Sequence, residues 1–221
     1  HIGFVTEERS LLTKLTVKEQ IIFYGRLKGM SESEILEKLD ILLKRFDILD
    51  YKNRKIKELS KGNQQKIQFI TAIIHKPKLL ILDEPFSGLD PFNVELFKEQ
   101  IKEMAKEGSM IIFSSHRMEH VELFCKKLVV LLKGKSVLEG DLKEIKEKYR
   151  KKNIIVEGEF DIDAVKKIKG VVSVEKISTS YEIKIDNIDV SKDVFKVISK
   201  AKNITKYQVE EPSLNEIFVT K

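Results

Sequence analysis

Apolar residues fall along the 221-residue chain in three rhythms. Between residues 14 and 75 they recur at helical spacing. Val17, Ile21, Tyr24 and Leu27 form one stripe, and Ile35, Leu39, Leu42 and Phe46 a second. Each stripe opens on a capping box, Thr16-x-x-Glu19 and Ser31-x-x-Glu34, and Gly29 separates the two helices. A third run holds Ile67, Ile70 and Ile74, with Phe69 and Ile73 on other faces. A helix apolar nearly all round is a buried one. The second rhythm is unbroken. Residues 79–82 and 110–113 are short aliphatic runs, and residues 2–5 read as the end of another strand. Such runs suit strands buried on both faces of a parallel sheet. Between them Asp90 caps a helix with Pro91 at its first position, Val94, Phe97, Ile101 and Met104 as its inner stripe, and Gly108 at its end. Strand, helix, strand is a βαβ unit, so both strands deliver their ends to one sheet edge.

The third rhythm begins near residue 153. Strands over 154–160, 171–177, 181–185 and 204–209 alternate with helices over 164–169 and 190–201. This βαββαβ order is the ferredoxin-like arrangement. A helix over 118–124, a hairpin turning at Lys133-Gly134-Lys135, and a charged helix over 141–152 connect the halves. The expected organisation is an α/β core over 1–140 with a helical subdomain at about 14–75. A linker helix over 141–152 and an α+β accessory domain over 153–221 follow.

Composition narrows the function classes. Hydrophobic residues make up 42% and charged ones 34%, as in globular chains. No apolar run has the length of a membrane span. Cys125 is the single cysteine, so no internal disulfide forms, which fits a reducing compartment. The net charge of +6 is spread along the chain and reads as a solvated lysine-rich surface, not a nucleic-acid groove.

Candidate chemistry gathers at two places. The run Leu79–Asp83 ends in the adjacent acids Asp83 and Glu84, followed by Ser87-Gly88-Leu89-Asp90. Ligands of open α/β folds bind at that carboxyl edge. Neighbouring residues of a strand point opposite ways, so one acid can hold a metal while the other faces another part of the site. His116, ending the next strand, joins the same edge. The second place is Leu59-Ser60-Lys61-Gly62-Asn63-Gln64-Gln65-Lys66, which opens the buried helix. Free N–H groups, the positive helix end, a hydroxyl and a glycine suit an anion such as phosphate. A plain Ser-capped helix has the same appearance.

In this order the motifs resemble the nucleotide-binding subunit of an ATP-binding cassette (ABC) transporter. Leu59 to Gln64 resembles the family signature, and Leu79 to Glu84 resembles Walker B with its glutamate. Ser87-Gly88-Leu89-Asp90 resembles the D-loop, Ser114-Ser115-His116 the switch histidine, and Glu7 stands where the family has its Q-loop glutamine. Glu7-Glu8-Arg9, the form LSKGNQQK and the run from Glu211 to Phe218 look like ABC-2-type exporters similar to sodium and drug extrusion ATPases. Two departures stand out. No G-x-x-x-x-G-K-[ST] occurs: Gly134-Lys135 is the one Gly-Lys pair, and Val129 takes the place of the earlier glycine. The Walker A loop is therefore expected in a segment preceding this one, making the chain a partial P-loop NTPase core. The other departure is the carboxylate of Glu7 itself.

The resemblance implies ATP and Mg²⁺ as cofactors. Asp83 would hold Mg²⁺, Glu84 would orient or deprotonate the attacking water, and His116 would contact the γ-phosphate. Ser60, Lys61, Gly62 and Asn63 would face ATP held on a second nucleotide-binding subunit, Glu7 would sense the γ-phosphate, and Asp90 would act across the dimer. It further implies a membrane permease docking near residues 7–28, a peripheral place on the cytoplasmic membrane face, no nucleic-acid partner, and no ATP turnover by these 221 residues alone. DNA-repair ATPases of the superfamily carry long heptads before the signature, where this chain has two short capped helices. Ribosome-associated members usually carry two cassettes, and one is present. A non-catalytic assembly module fits poorly with Glu84 and His116 both in place.

Overall fold

The computed structural model describes all residues except 9, 150, 151, 211, 212, 220 and 221. Arg9, Glu211, Pro212 and residues 150 and 151 of the expected 141–152 helix thus lie outside the described residues, while that helix is found over Leu142–Lys148 and Lys152 already belongs to a strand. The chain forms two compact units, His1–His116 and Arg117–Lys221.

The first unit runs β1 (Ile2–Val5), α1 (Val17–Leu27), α2 (Glu32–Arg45), α3 (Lys61–Ile73), β2 (Leu79–Asp83), α4 (Pro91–Lys106) and β3 (Met110–Ser114). The strands form a parallel sheet in the order β1-β2-β3. Both capping boxes close as the spacing requires. Thr16 and Ser31 accept the backbone N–H of Glu19 and Glu34, whose carboxylates reach back to the N–H groups of Thr16 and Ser31. Those backbone N–H groups are the main cause that holds the Glu19 and Glu34 carboxyls below their ordinary value of 4.5.

Packing shifts two of the expected stripes. On α1 the buried residues are Val17, Gln20, Ile21 and Gly25, while Leu27 is 66% exposed. A Cβ on Gly25 would lie 2.6 Å from Ile35 Cδ1, so α1 and α2 meet at the glycine and turn Leu27 outward. On α2, Leu43 is fully buried and Leu42 only partly. Phe46, Phe69, Phe86 and Phe97 form a chain of aromatic contacts, with the Phe69 and Phe97 rings stacked 4.4 Å apart.

The sheet also departs from the expected burial on both faces. Val5, Leu80 and Leu82 are buried on one face. The other face carries Ile2, Phe4, Met110 and Ile112, between 50% and 66% exposed. By register Ile2, Leu79 and Met110 lie side by side, as do Phe4, Ile81 and Ile112.

The second unit runs α5 (Met118–Phe124), β4 (Lys127–Leu132), β5 (Lys135–Asp141), α6 (Leu142–Lys148), β6 (Lys152–Glu157), α7 (Ile162–Lys166), β7 (Val171–Ile177), β8 (Ser180–Ile185), α8 (Val190–Ile198), β9 (Lys206–Glu210) and α9 (Leu214–Val219). Positive φ at both Lys133 and Gly134 closes the β4-β5 hairpin. Leu128 and Ile145 pack with Leu214 and Ile217 of α9. The hairpin that the sequence placed in the first domain therefore shares a core with the chain's last helix.

The four-stranded sheet has the order β7-β8-β6-β9, antiparallel throughout. In strand numbers of the βαββαβ unit this is 2-3-1-4, the ferredoxin-like order. Ile154, Val156, Ile183 and Ile185 form its core with Val165 of α7 and Val194 and Ile198 of α8.

Candidate active site

Register brings the acidic pair and the histidine strand together. Asp83 of β2 lies opposite Ser114 of β3. The Ser114 hydroxyl donates to Asp83 Oδ1. The Glu84 N–H donates to the Ser114 carbonyl at 3.2 Å. Glu84 has φ +46°, a left-handed conformation that costs a non-glycine residue about 1–3 kcal/mol. That turn swings its carboxylate across to the loop after β3. There the His116 N–H donates to Glu84 Oε1 at 2.6 Å, and His116 Nδ1 lies 2.8 Å from the same oxygen. Ser115 Oγ reaches Oε2 at 3.4 Å. The Glu84 side chain is 14% exposed and that of His116 74%. With Nδ1 donating to Glu84, the imidazole presents Nε2 outward as an acceptor or, when protonated, as a second donor.

This arrangement suits work on a phosphate ester. The Asp83 carboxylate and the Ser114 hydroxyl are hard oxygen donors of the kind Mg²⁺ takes, which binds through one or two carboxylates plus substrate phosphates and water. No group of three His, Cys, Asp or Glu side chains able to hold a metal occurs among the described residues, so a divalent ion here would draw its remaining ligands from substrate and water. Among the described residues Glu84 Oε2 accepts the long Ser115 contact, which leaves it able to take a hydrogen bond from water.

The second candidate cluster opens α3. Ser60 is the N-cap, its hydroxyl accepting the Asn63 N–H at 3.3 Å. A Cβ on Gly62 would meet nothing within 4 Å, so the helix end is open on that side. Lys61 is exposed. The next three residues are fastened down. Gln64 donates to the Ile56 and Leu59 carbonyls, Gln65 to the Pro85 carbonyl, and Lys66 Nζ to the Phe46 carbonyl at the end of α2. Burial pushes the Lys66 pKa down, while Asp47 and Asp90 act in the opposite sense. Gln65 thus ties the signature helix to the residue that follows Glu84.

Asp90 caps α4 through Asn93, whose N–H is the main cause holding its carboxyl below the usual range. Glu7 is exposed in the segment after β1. The structure thus brings Asp83, Glu84 and His116 into one hydrogen-bonded group, with Ser114 as a bridging member that the sequence reading left without a role. No hydrogen bond or ion pair among the described residues joins Ser60, Lys61, Gly62 or Asn63 to that group.

An acidic pair and a histidine share one parallel edge, with an open helix start nearby in sequence, an arrangement able to work on a nucleotide phosphate. The ABC transporter family profile matches residues 1–87, and the profile described as "ATP-binding protein DrrA1-3-like, C-terminal domain" matches residues 140–221. An uncharacterized ABC transporter ATP-binding protein of Bacillus subtilis, YhaQ, is 48% identical over 220 residues, covering all of this chain and 74% of that protein. The linearmycin resistance ATP-binding protein LnrL of the same organism is 28% identical over 227 residues, 99% of this chain and 73% of that protein. A solved ATP-binding subunit of an ABC transporter superposes with a TM-score of 0.63 at 30% identity, over 67% of this chain and 62% of that one. The chain belongs to the ATP-binding proteins of ABC transporters. Members of that family bind and hydrolyse ATP in their full-length form. No helix among the described residues is long and apolar enough to cross a membrane.

Proposed function

We propose that the chain is the metal-and-water part of the ATPase site in an exporter-type ABC transporter. The carrying observation is the Asp83–Ser114 and Glu84–His116 pairing at the β2/β3 edge. In this reading Asp83 holds Mg²⁺, directly or through water. Glu84 orients and deprotonates the attacking water, and His116 presents Nε2 to the γ-phosphate. Phosphoryl transfer asks mainly for positioning and charge neutralisation, which these groups supply. Ser60, Lys61, Gly62 and Asn63 bind the γ-phosphate of ATP held by a second subunit, Asp90 acts across that dimer, and Glu7 touches metal or water. A site divided between subunits links hydrolysis to dimer closure, and a separate permease receives that movement at the cytoplasmic membrane face. The resistance named for LnrL supports export as the direction.

The phosphate-holding loop comes from elsewhere in the full-length protein. Two observations support this. No Walker A pattern occurs in these residues. The open face with Ile2, Phe4, Met110 and Ile112 is an apolar patch of the kind that marks a covered surface. In this reading the ATPase core ends near 140 and the C-terminal domain begins near 153, with Leu128 of the hairpin packing on Leu214 and Ile217 of α9.

Ser60→Arg in the full-length protein tests the arrangement. It is expected to abolish ATP turnover while leaving ATP binding to the isolated subunit intact. Loss of that binding contradicts the cross-subunit role. The 221-residue chain alone is expected to show no saturable ATP binding at micromolar concentrations by calorimetry, and clear binding there contradicts the separate phosphate loop.

A further inference from the structure

Thr6 and Leu12, on either side of Glu7 in the sequence, are each held by a buried glutamine of the helical subdomain. At the start, Gln68 of α3, 5% exposed, donates through Nε2 to the Thr6 carbonyl at 3.0 Å and to Thr6 Oγ1 at 2.9 Å. Thr6 Oγ1 gives its own proton to the Glu8 carbonyl, so it must accept from Gln68. This fixes the amide orientation and leaves Gln68 Oε1 buried without a partner among the described residues. At the far end, Gln20 of α1, fully buried, accepts the Leu12 N–H at 2.7 Å. Gln20 Nε2 in turn lies 3.5 Å from Thr71 Oγ1 of α3. The strand leading into the segment is pressed on the same helix, since a Cβ on Gly3 would lie 2.3 Å from the Ala72 carbonyl oxygen.

A buried amide oxygen with no donor costs about 1–3 kcal/mol, which an apolar residue at position 68 would avoid. The side chain therefore does something that packing does not require, and what it does is hold Thr6. We propose that Gln68, with Gln20 at the other end, is a positioning residue for Glu7, so that the Glu7 segment moves with the signature helix as one piece. The start of α3 presents Ser60 and Gly62. The inference rests on the role proposed for Glu7.

The test is a double-mutant cycle in the full-length protein, with Gln68→Met, which keeps length but not the donors, and Glu7→Ala. Gln68→Met is expected to lower kcat for ATP about tenfold, with KM within about twofold of wild type. In the Glu7→Ala background it is expected to change kcat by less than about twofold, because residues acting through one another are not additive. If Gln68→Met fails to fold, Thr6→Val carries the same cycle from the loop side. Multiplying effects alongside an impaired Glu7→Ala overturn the positioning role alone. An unimpaired Glu7→Ala overturns the role of Glu7, and the positioning with it. A wild-type kcat for Gln68→Met overturns the proposal outright.

Discussion

The parallel sheet of the first unit and the four-stranded sheet of the second each have one face packed by helices, and their other faces are opposite in kind. In the second unit, the outward positions of β6, β8 and β9 include Asn153, Ile155, Glu157, Glu182, Lys184 and Gln208, one aliphatic among six. Lys184 Nζ lies 3.6 Å from the Glu216 carboxylate of α9, and Asn153 Nδ2 bonds to Glu182 and Glu216. Burial and the Glu216 charge hold the Glu182 carboxyl above its ordinary value. Water can cover such a face. The first unit exposes Ile2, Phe4, Met110 and Ile112 instead, on the sheet whose edge carries Asp83 and Glu84. An antiparallel sheet can leave one face to solvent, whereas parallel sheets are generally covered on both. The polar face in the second unit is met partly by Glu216 of α9, whereas the apolar face on the sheet of Asp83 and Glu84 suits a further layer.

The largest test of that contrast is Phe4→Lys combined with Ile112→Lys. In the full-length protein the pair is expected to cost about 4 kcal/mol or more, since it buries charge and removes apolar contact. In the 221-residue chain the same pair should leave thermal stability nearly unchanged and reduce self-association by light scattering. Equal loss in both proteins would mean that the face is already covered here. Ile183→Ala, inside the finished core of the second unit, should cost about 3 kcal/mol in either protein by urea unfolding. A cost that differs between them would contradict the independence of that core.

Thr16→Ala, at the helix start nearest the Glu7 segment, is expected to cost about 1 kcal/mol. Its pH dependence has a definite sign. The Glu19 carboxyl is lowered in the folded state by the Thr16 N–H and hydroxyl, so its contribution is full above the ordinary value of 4.5. It is lost as pH falls through the lowered folded value. The gap between wild type and Thr16→Ala should therefore narrow as the solution is acidified below pH 4.5, by the share of the Thr16 hydroxyl bond to the Glu19 carboxylate, and a gap that stays constant would remove that bond from the capping account.

What the sequence showed was mostly local. Thr16-x-x-Glu19, Ser31-x-x-Glu34 and Asp90-Pro91 mark their helix starts because capping involves residues three apart. The βαββαβ order likewise follows from alternating apolar runs. The signature, Walker B and histidine motifs kept their order because each sits at the end of one element. What was missed depends on neighbours distant in sequence. The exposure of Leu27 is decided by the approach of Ile35 to Gly25. Ser114 bridges Asp83 and Glu84 only because the strand register places it there. Gln20 and Gln68 interrupt apolar helix faces, and the Thr6 and Leu12 backbone they hold gives no signal in the sequence.

Single-turnover ATP hydrolysis by the full-length Glu84→Gln protein decides whether Glu84 activates the water that attacks ATP at this edge. The amide keeps the shape and loses the base, so the rate should fall by about 100-fold or more while ATP still binds. A rate near that of wild type would contradict the role given to Glu84.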